Sequence, residues 1–97
     1  MDEKLYIIAN FELNGEHREE AMAALTDLAE ATRTEPGCVS FILTQNRADP
    51  NTYVFLEIWA NEAAFQTHRE TPHLKEFRNR IEGKRTEPDI IRLQRVL

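Results

Sequence analysis

The run from Leu5 to Leu13 is apolar on both sides of its alternation, and this constrains the fold more than any other stretch. Leu5, Ile7, Ala9, Phe11 and Leu13 share one side, and Tyr6, Ile8, Asn10 and Glu12 share the other. A strand with one wet face alternates cleanly between apolar and polar, so this run predicts a sheet covered on both faces. Asn14-Gly15 breaks the strand, with Asn14 placed to cap the next element. From about Glu16 to Thr34 the period becomes helical, with Ala21, Met22, Leu25, Leu28, Ala29 and Thr32 on one stripe. Glu35-Pro36-Gly37 stops that helix. Cys38 to Gln45 and Thr52 to Trp59 read as a second and a third strand joined by a polar turn. Asn61 is placed to cap a short helix, and Thr71-Pro72 opens a second helical piece that carries Leu74, Phe77 and Ile81 and stops near Gly83. Ile90 to Leu97 closes the chain as a fourth strand.

The order β-α-β-β-α-β is the ferredoxin-like arrangement of the α+β class, with helices on one face of a four-stranded antiparallel sheet. Ninety-seven residues fit a single domain over 1–97. The sheet face away from the helices would carry too much apolar area to leave in water, so a homodimer through that face is expected. Seventeen acidic against twelve basic residues leave a net charge of −5, a poor basis for gripping a nucleic-acid backbone. Cys38 is the single cysteine, which excludes an internal disulfide framework and fits a reducing cytoplasm. The opening Met1-Asp2-Glu3-Lys4 has no basic, apolar or small-residue pattern of a leader, and no run is long enough to span a membrane.

Several residues stand out against this frame. Glu57 shares a strand face with Tyr53, Phe55 and Trp59, where a carboxylate is costly unless paired or protonated. It is either an acid–base group of raised pKa or a salt-bridge partner for an arginine of the last strand across the dimer. His68 and His73 are five apart and would not share a face of one continuous helix, but the Thr71-Pro72 break lets both rings turn toward a common cavity. No neighbouring spacing supplies the further ligands a metal needs, so no metal is expected. His68 is expected to line a cavity between helix and sheet as a neutral base, with Asn10 in reach of the same ligand. Trp59 and Phe65 are candidate walls, and His17, among charged neighbours, reads as surface. Lys75, Arg78, Arg80, Lys84 and Arg85 form a basic stretch interspersed with Glu76 and Glu82, most simply a solvated helix face. Cys38 has no obvious activating base and reads as a small packed residue.

Two segments, Glu35-Pro36-Gly37-Cys38 and Phe55 to His73 with its Glu57-x-Trp59 and His68-x-x-Thr71-x-His73 spacings, resemble the antibiotic biosynthesis monooxygenase family. The resemblance implies a dimeric α+β barrel, two ferredoxin-like units with their sheets packed together and a ligand cavity between sheet and helices. It also implies a choice of chemistries, since the family contains cofactor-independent oxygenases of quinols and anthrones, haem-degrading enzymes and an isomerase of a phosphorylated signal. The haem-degrading branch pairs a first-strand Asn with a Trp and a downstream His. Asn10 matches the first, but the other two positions fall on His68 and near Arg78, so haem is not expected.

The resulting expectation is a cofactor-independent monooxygenase of a small quinol-like or aromatic polyketide substrate, with dioxygen as co-substrate. His68 and Asn10 would be catalytic, and His73, Trp59, Phe65 and Glu57 would contact substrate. An isomerase or tautomerase of a small, sometimes phosphorylated, carbonyl compound and a non-catalytic dimeric binding protein are the alternatives.

Overall fold

The computed structural model describes residues 3–97, so Met1 and Asp2 of the opening segment lie outside the described residues. Its strands are β1 (Leu5–Glu12), β2 (Cys38–Gln45), β3 (Thr52–Trp59) and β4 (Asp89–Leu93), and its helices are α1 (Arg18–Thr32), α2 (Glu62–Arg69) and α3 (Pro72–Ile81). The strands form one antiparallel sheet in the order β2-β3-β1-β4, the ferredoxin-like topology. β2 and β3 have the bounds expected from alternation. The last strand is shorter than expected: pairing with β1 runs only from Asp89 to Leu93, and residues 94–97 are exposed beyond it.

Local chemistry fixes the helix ends. Asn14 accepts from the Glu16 amide and opens a short 3-10 turn ahead of α1. Asn61 accepts from the Ala64 amide at 2.9 Å and opens α2. Pro72 cannot continue α2, because it lacks an N–H and its ring would meet the carbonyl one turn back, which belongs to His68. That carbonyl accepts instead from the Thr71 amide at 3.2 Å and the Thr71 hydroxyl at 2.8 Å. Thr71 then caps α3, with Pro72 in its first turn. Gly83, at φ 76°, turns the chain away after α3.

The helices cover one face of the sheet. Ile7, Ala9 and Phe11 of β1, Phe41 of β2 and Phe55 and Trp59 of β3 join the apolar stripes of all three helices in one core. The opposite face is uncovered in the single chain. Strand register lines up Ile42, Leu56, Ile8 and Ile91 in a row across all four strands of that face. Ile42, Leu56 and Ile91 are 49%, 42% and 44% exposed. Among the described residues no helix is long and apolar enough to cross a membrane.

Candidate functional site

Between the helices, the inner sheet face and the connection from α3 to β4 lies a cavity of about 710 Å³, within the range that holds a small organic molecule. Strand alternation sends Glu57 into it. From α2, Phe65 and His68 sit one turn apart on the inward stripe and both line it.

His68 is buried, with its ring 4.6 Å from that of Trp59. Its Nδ1 lies 2.7 Å from Oε2 of Glu35, and Nε2 of His73 lies 2.8 Å from the same oxygen. The hydrogen-bond pattern assigns the tautomer: Nδ1–H of His68 donates to the carboxylate, which leaves Nε2 with its lone pair. Burial pulls the His68 imidazole below its ordinary pKa, and the hydrogen bond and charge of Glu35 oppose that pull only in part. The contact is therefore a neutral imidazole held by a carboxylate rather than an ion pair. A cavity-facing histidine oriented by a carboxylate is the arrangement of a general base.

Glu57 is buried and, among the described residues, has no cationic partner. Its Oε1 accepts from the Trp59 indole N–H at 2.9 Å. Desolvation drives its pKa up to about 7, the Trp59 hydrogen bond works against that, and the charge of Glu35 adds to it. The salt bridge expected for Glu57 is one across the dimer, and within the chain no cation takes that place among the described residues. Arg92 of β4 occupies the same cross-sheet row, beyond Ile7, but its guanidinium is paired with Glu62.

Three expected members of the site are placed elsewhere. Asn10 lies on the uncovered sheet face with Tyr6 and Ile8, opposite Val54 and Asp89 in register, so it does not share a ligand with His68. Trp59 is fully buried behind His68 and Glu57, and positions them rather than walling the cavity. His73 borders a smaller cleft between α1 and α3 and meets the site through Glu35 and through its ring, 6.2 Å from that of His68.

Glu35 is the residue that sequence reasoning missed. It ends the turn after α1, and its role there as a helix stop hid the side chain's destination, 33 residues ahead of His68. The signal was a carboxylate beside Pro36-Gly37. Gly37 lets this corner press on α2, since a Cβ there would lie 2.3 Å from that of Ala64. Glu35, His68 and His73 also present ligand-type atoms within 4.8 Å of one another, so a carboxylate does complete the histidine pair. The spacings within the trio are those of hydrogen bonds. A tetrahedral metal would hold its ligand atoms roughly 3.3 Å apart, from bonds of about 2.0–2.1 Å. Cys38, half-buried, has a thiol pushed up by burial and by the charges of Glu35 and Glu57, which disfavours the reactive thiolate.

Residues 4–80 match the sequence profile of the family described as antibiotic biosynthesis monooxygenase. YcnE of Bacillus subtilis, a protein provisionally named a monooxygenase, is 35% identical over 69 residues, which cover 71% of this chain and 73% of YcnE. The uncharacterized protein sll1783 of Synechocystis is 27% identical over 95 residues, and the match covers 98% of this chain but 65% of that longer protein. Among solved structures, PA3566 of Pseudomonas aeruginosa superposes with a TM-score of 0.90 at 29% identity, covering 100% of this chain and 98% of its own. A conserved protein of Methanosarcina mazei superposes with a TM-score of 0.92 at 23% identity, covering 98% of this chain and 95% of its own, and shows the shared fold. With a profile match across most of its length and an EPGC corner that delivers Glu35 to the histidine pair, this chain belongs to the antibiotic biosynthesis monooxygenase family.

Proposed function

We propose that this chain is a cofactor-independent monooxygenase of a small quinol-like or aromatic polyketide substrate. The observation that carries the reading is His68, facing the cavity with Nδ1 held by Glu35. Nε2 of His68 takes the acidic proton of the bound phenol or anthrone. The resulting electron-rich anion reduces dioxygen and forms a carbon–oxygen bond, giving a peroxide. The His68 imidazolium returns its proton to the peroxide anion. Nε2 then takes the remaining hydrogen of the oxygenated carbon as a proton while the O–O bond breaks, which leaves a carbonyl on that carbon and releases the outer oxygen as water. Glu57, with a pKa near 7 in the same cavity, supplies a proton to that departing oxygen. The apolar part of the wall, Ile7, Phe55, Phe65, Leu74 and Phe77, favours this sequence by orienting the anion and excluding water along that side. The site lies in a single domain of residues 1–97, and a second copy covers the uncovered sheet face to complete a dimeric barrel in the cytoplasm.

The test is oxygen uptake with an anthrone and a naphthoquinol. Wild-type protein is expected to consume one dioxygen per product. His68→Gln should lower turnover by roughly 10²-fold or more, the usual contribution of a general base. Product formed at the same rate without oxygen would replace this reading with the isomerase one, and saturable binding without turnover would leave a binding protein.

A further inference from the structure

The basic stretch after Thr71 is not one solvated face. Arg80 pairs with Asp27 at 2.7 Å, and Lys84 turns toward Glu20 and the Arg80 carbonyl. Arg78 and Arg85 instead line the cavity. Among the described residues neither guanidinium has a hydrogen bond or an ion pair.

Arg85 is held unusually firmly for a free cation. Its guanidinium carbon lies 5.1 Å from the ring centroids of both Phe11 and Phe77, so the two rings contact the planar group. Its backbone is stitched to the end of β1 by the Leu13–Arg85 bridge and by hydrogen bonds on either side: Asn14 N–H to the Lys84 carbonyl at 2.8 Å, and Thr86 N–H to the Glu12 carbonyl at 2.9 Å. The aromatic rings satisfy the faces of the guanidinium but not its N–H edge, which has no acceptor. Burial is the main force against its charge; Glu87 eases that cost without pairing, and the nearby Arg78 adds to it. Arg78 is close enough to act on His68 as well, so the two arginines and the histidine border a common space. At the other end of the cavity the cations are engaged: Arg92 binds Glu62, and Arg69 lies over Phe65. Of the acidic residues on the wall, Glu82 and Glu87 are exposed at the rim.

We propose that Arg78 and Arg85 form an acid-recognition subsite, so that the cavity takes a small organic acid, a carboxylate or a phosphate ester on an apolar body. Its acid group is anchored by the two guanidiniums and its body lies along Phe77 and Leu74 toward His68. Two neighbouring cations with no paired carboxylate are stable neighbours when an anion bridges them, and the fork of N–H donors on each suits a planar or tetrahedral oxyanion. The proposal rests on the cavity being the substrate site, as the proposed function holds. It adds that the substrate carries a negative charge remote from the proton that His68 removes.

The experiment is a binding titration of the wild-type chain with benzoate, phenyl phosphate and the uncharged benzyl alcohol. It is followed by ¹H–¹⁵N spectra of the arginine Nε–H groups and the Trp59 indole. One or both acids should bind at least about tenfold tighter than the alcohol, as expected for a charge-assisted contact. They should shift the Arg78 and Arg85 resonances and weaken as salt rises, and the stronger acid identifies the group preferred. Arg78→Gln, at an exposed position where folding is not at stake, and Arg85→Gln should each erase most of that preference while leaving benzyl alcohol unchanged. Equal affinity for acid and alcohol, or acid binding indifferent to both substitutions, would overturn the proposal. So would the absence of any cavity shift with all three probes, and that result would also remove the cavity as a substrate site. Because the readout is binding, a lack of oxygen uptake in the activity test leaves it intact.

Discussion

Thr32 sits on the innermost part of α1 with 0% exposure, and its hydroxyl is the one buried side-chain polar atom without a hydrogen-bond partner among the described residues. A buried donor left unpaired is a net cost. Thr32→Val keeps the shape, removes that cost, and should raise stability by about 1 kcal/mol in urea denaturation. Glu57 makes a second, pH-dependent prediction. Its folded pKa of about 7 lies above its ordinary value near 4.5, so the folded chain holds this proton more tightly than the unfolded one. Its contribution to stability is full below about pH 4.5 and is lost as pH rises through 7. Glu57→Gln, which cannot ionise, should therefore gain stability relative to wild type between those pH values and hold the gain above them. Thermal melts from pH 4 to 8 measure this, and a difference that is flat across the range would contradict the buried carboxyl. The alternation that singled out Glu57 was legible in the sequence because a carboxylate among Tyr53, Phe55 and Trp59 breaks a simple pattern. The side chosen by Asn10 was not. Both faces of β1 are apolar, so alternation separates Asn10 from Phe11 without saying which set meets the helices.

At the scale of elements, the site depends on a corner and a break. Asn61, Thr71 and Pro72 announce the starts of the two short helices by capping chemistry alone, and β2 and β3 have the bounds the sequence predicts. What brings Glu35 to His68 and His73 is long-range packing, which no local pattern encodes. The basic stretch was misleading for a related reason: Arg78 lies one turn from both Leu74 and Ile81, at the edge of the inward stripe, where a long charged side chain can be exposed and still border a cavity. Gly37 is the testable hinge of this assembly. Gly37→Ala forces a methyl against Ala64 and should cost about 1–3 kcal/mol as an overpacked contact. Adding Ala64→Gly should return much of that loss, and the double-mutant cycle measures the coupling. Chemical shifts of the His68 and His73 rings should move in the single variant, because the same corner carries Glu35.

For the whole molecule, the dominant feature is a sheet with one face covered and one face bare. The row Ile42–Leu56–Ile8–Ile91 is an apolar surface that a lone chain would expose to water. Light scattering at micromolar concentration should report about twice the 11.3 kDa chain mass, with an interface of well over about 1,000 Å². Leu56→Lys on that face should shift the mass toward one chain while leaving the helix signal in circular dichroism largely intact. A wild-type monomer would contradict the second copy proposed for this face.

The alternation of β3 also carries a genetic consequence. Glu57 and Phe55 face the cavity while Leu56 and Ile58 face the bare side, so one eight-residue strand serves two surfaces at once. Point substitutions can retune either surface without touching the other. A one-codon insertion or deletion inside the strand cannot, because a shift of one residue exchanges the two faces over everything beyond it. It would put a carboxylate into the apolar row and aliphatic side chains where the buried carboxyl stood. Length changes in a lineage of such chains should therefore gather in the polar turn at residues 46–51 and avoid the reading frame between Thr52 and Trp59.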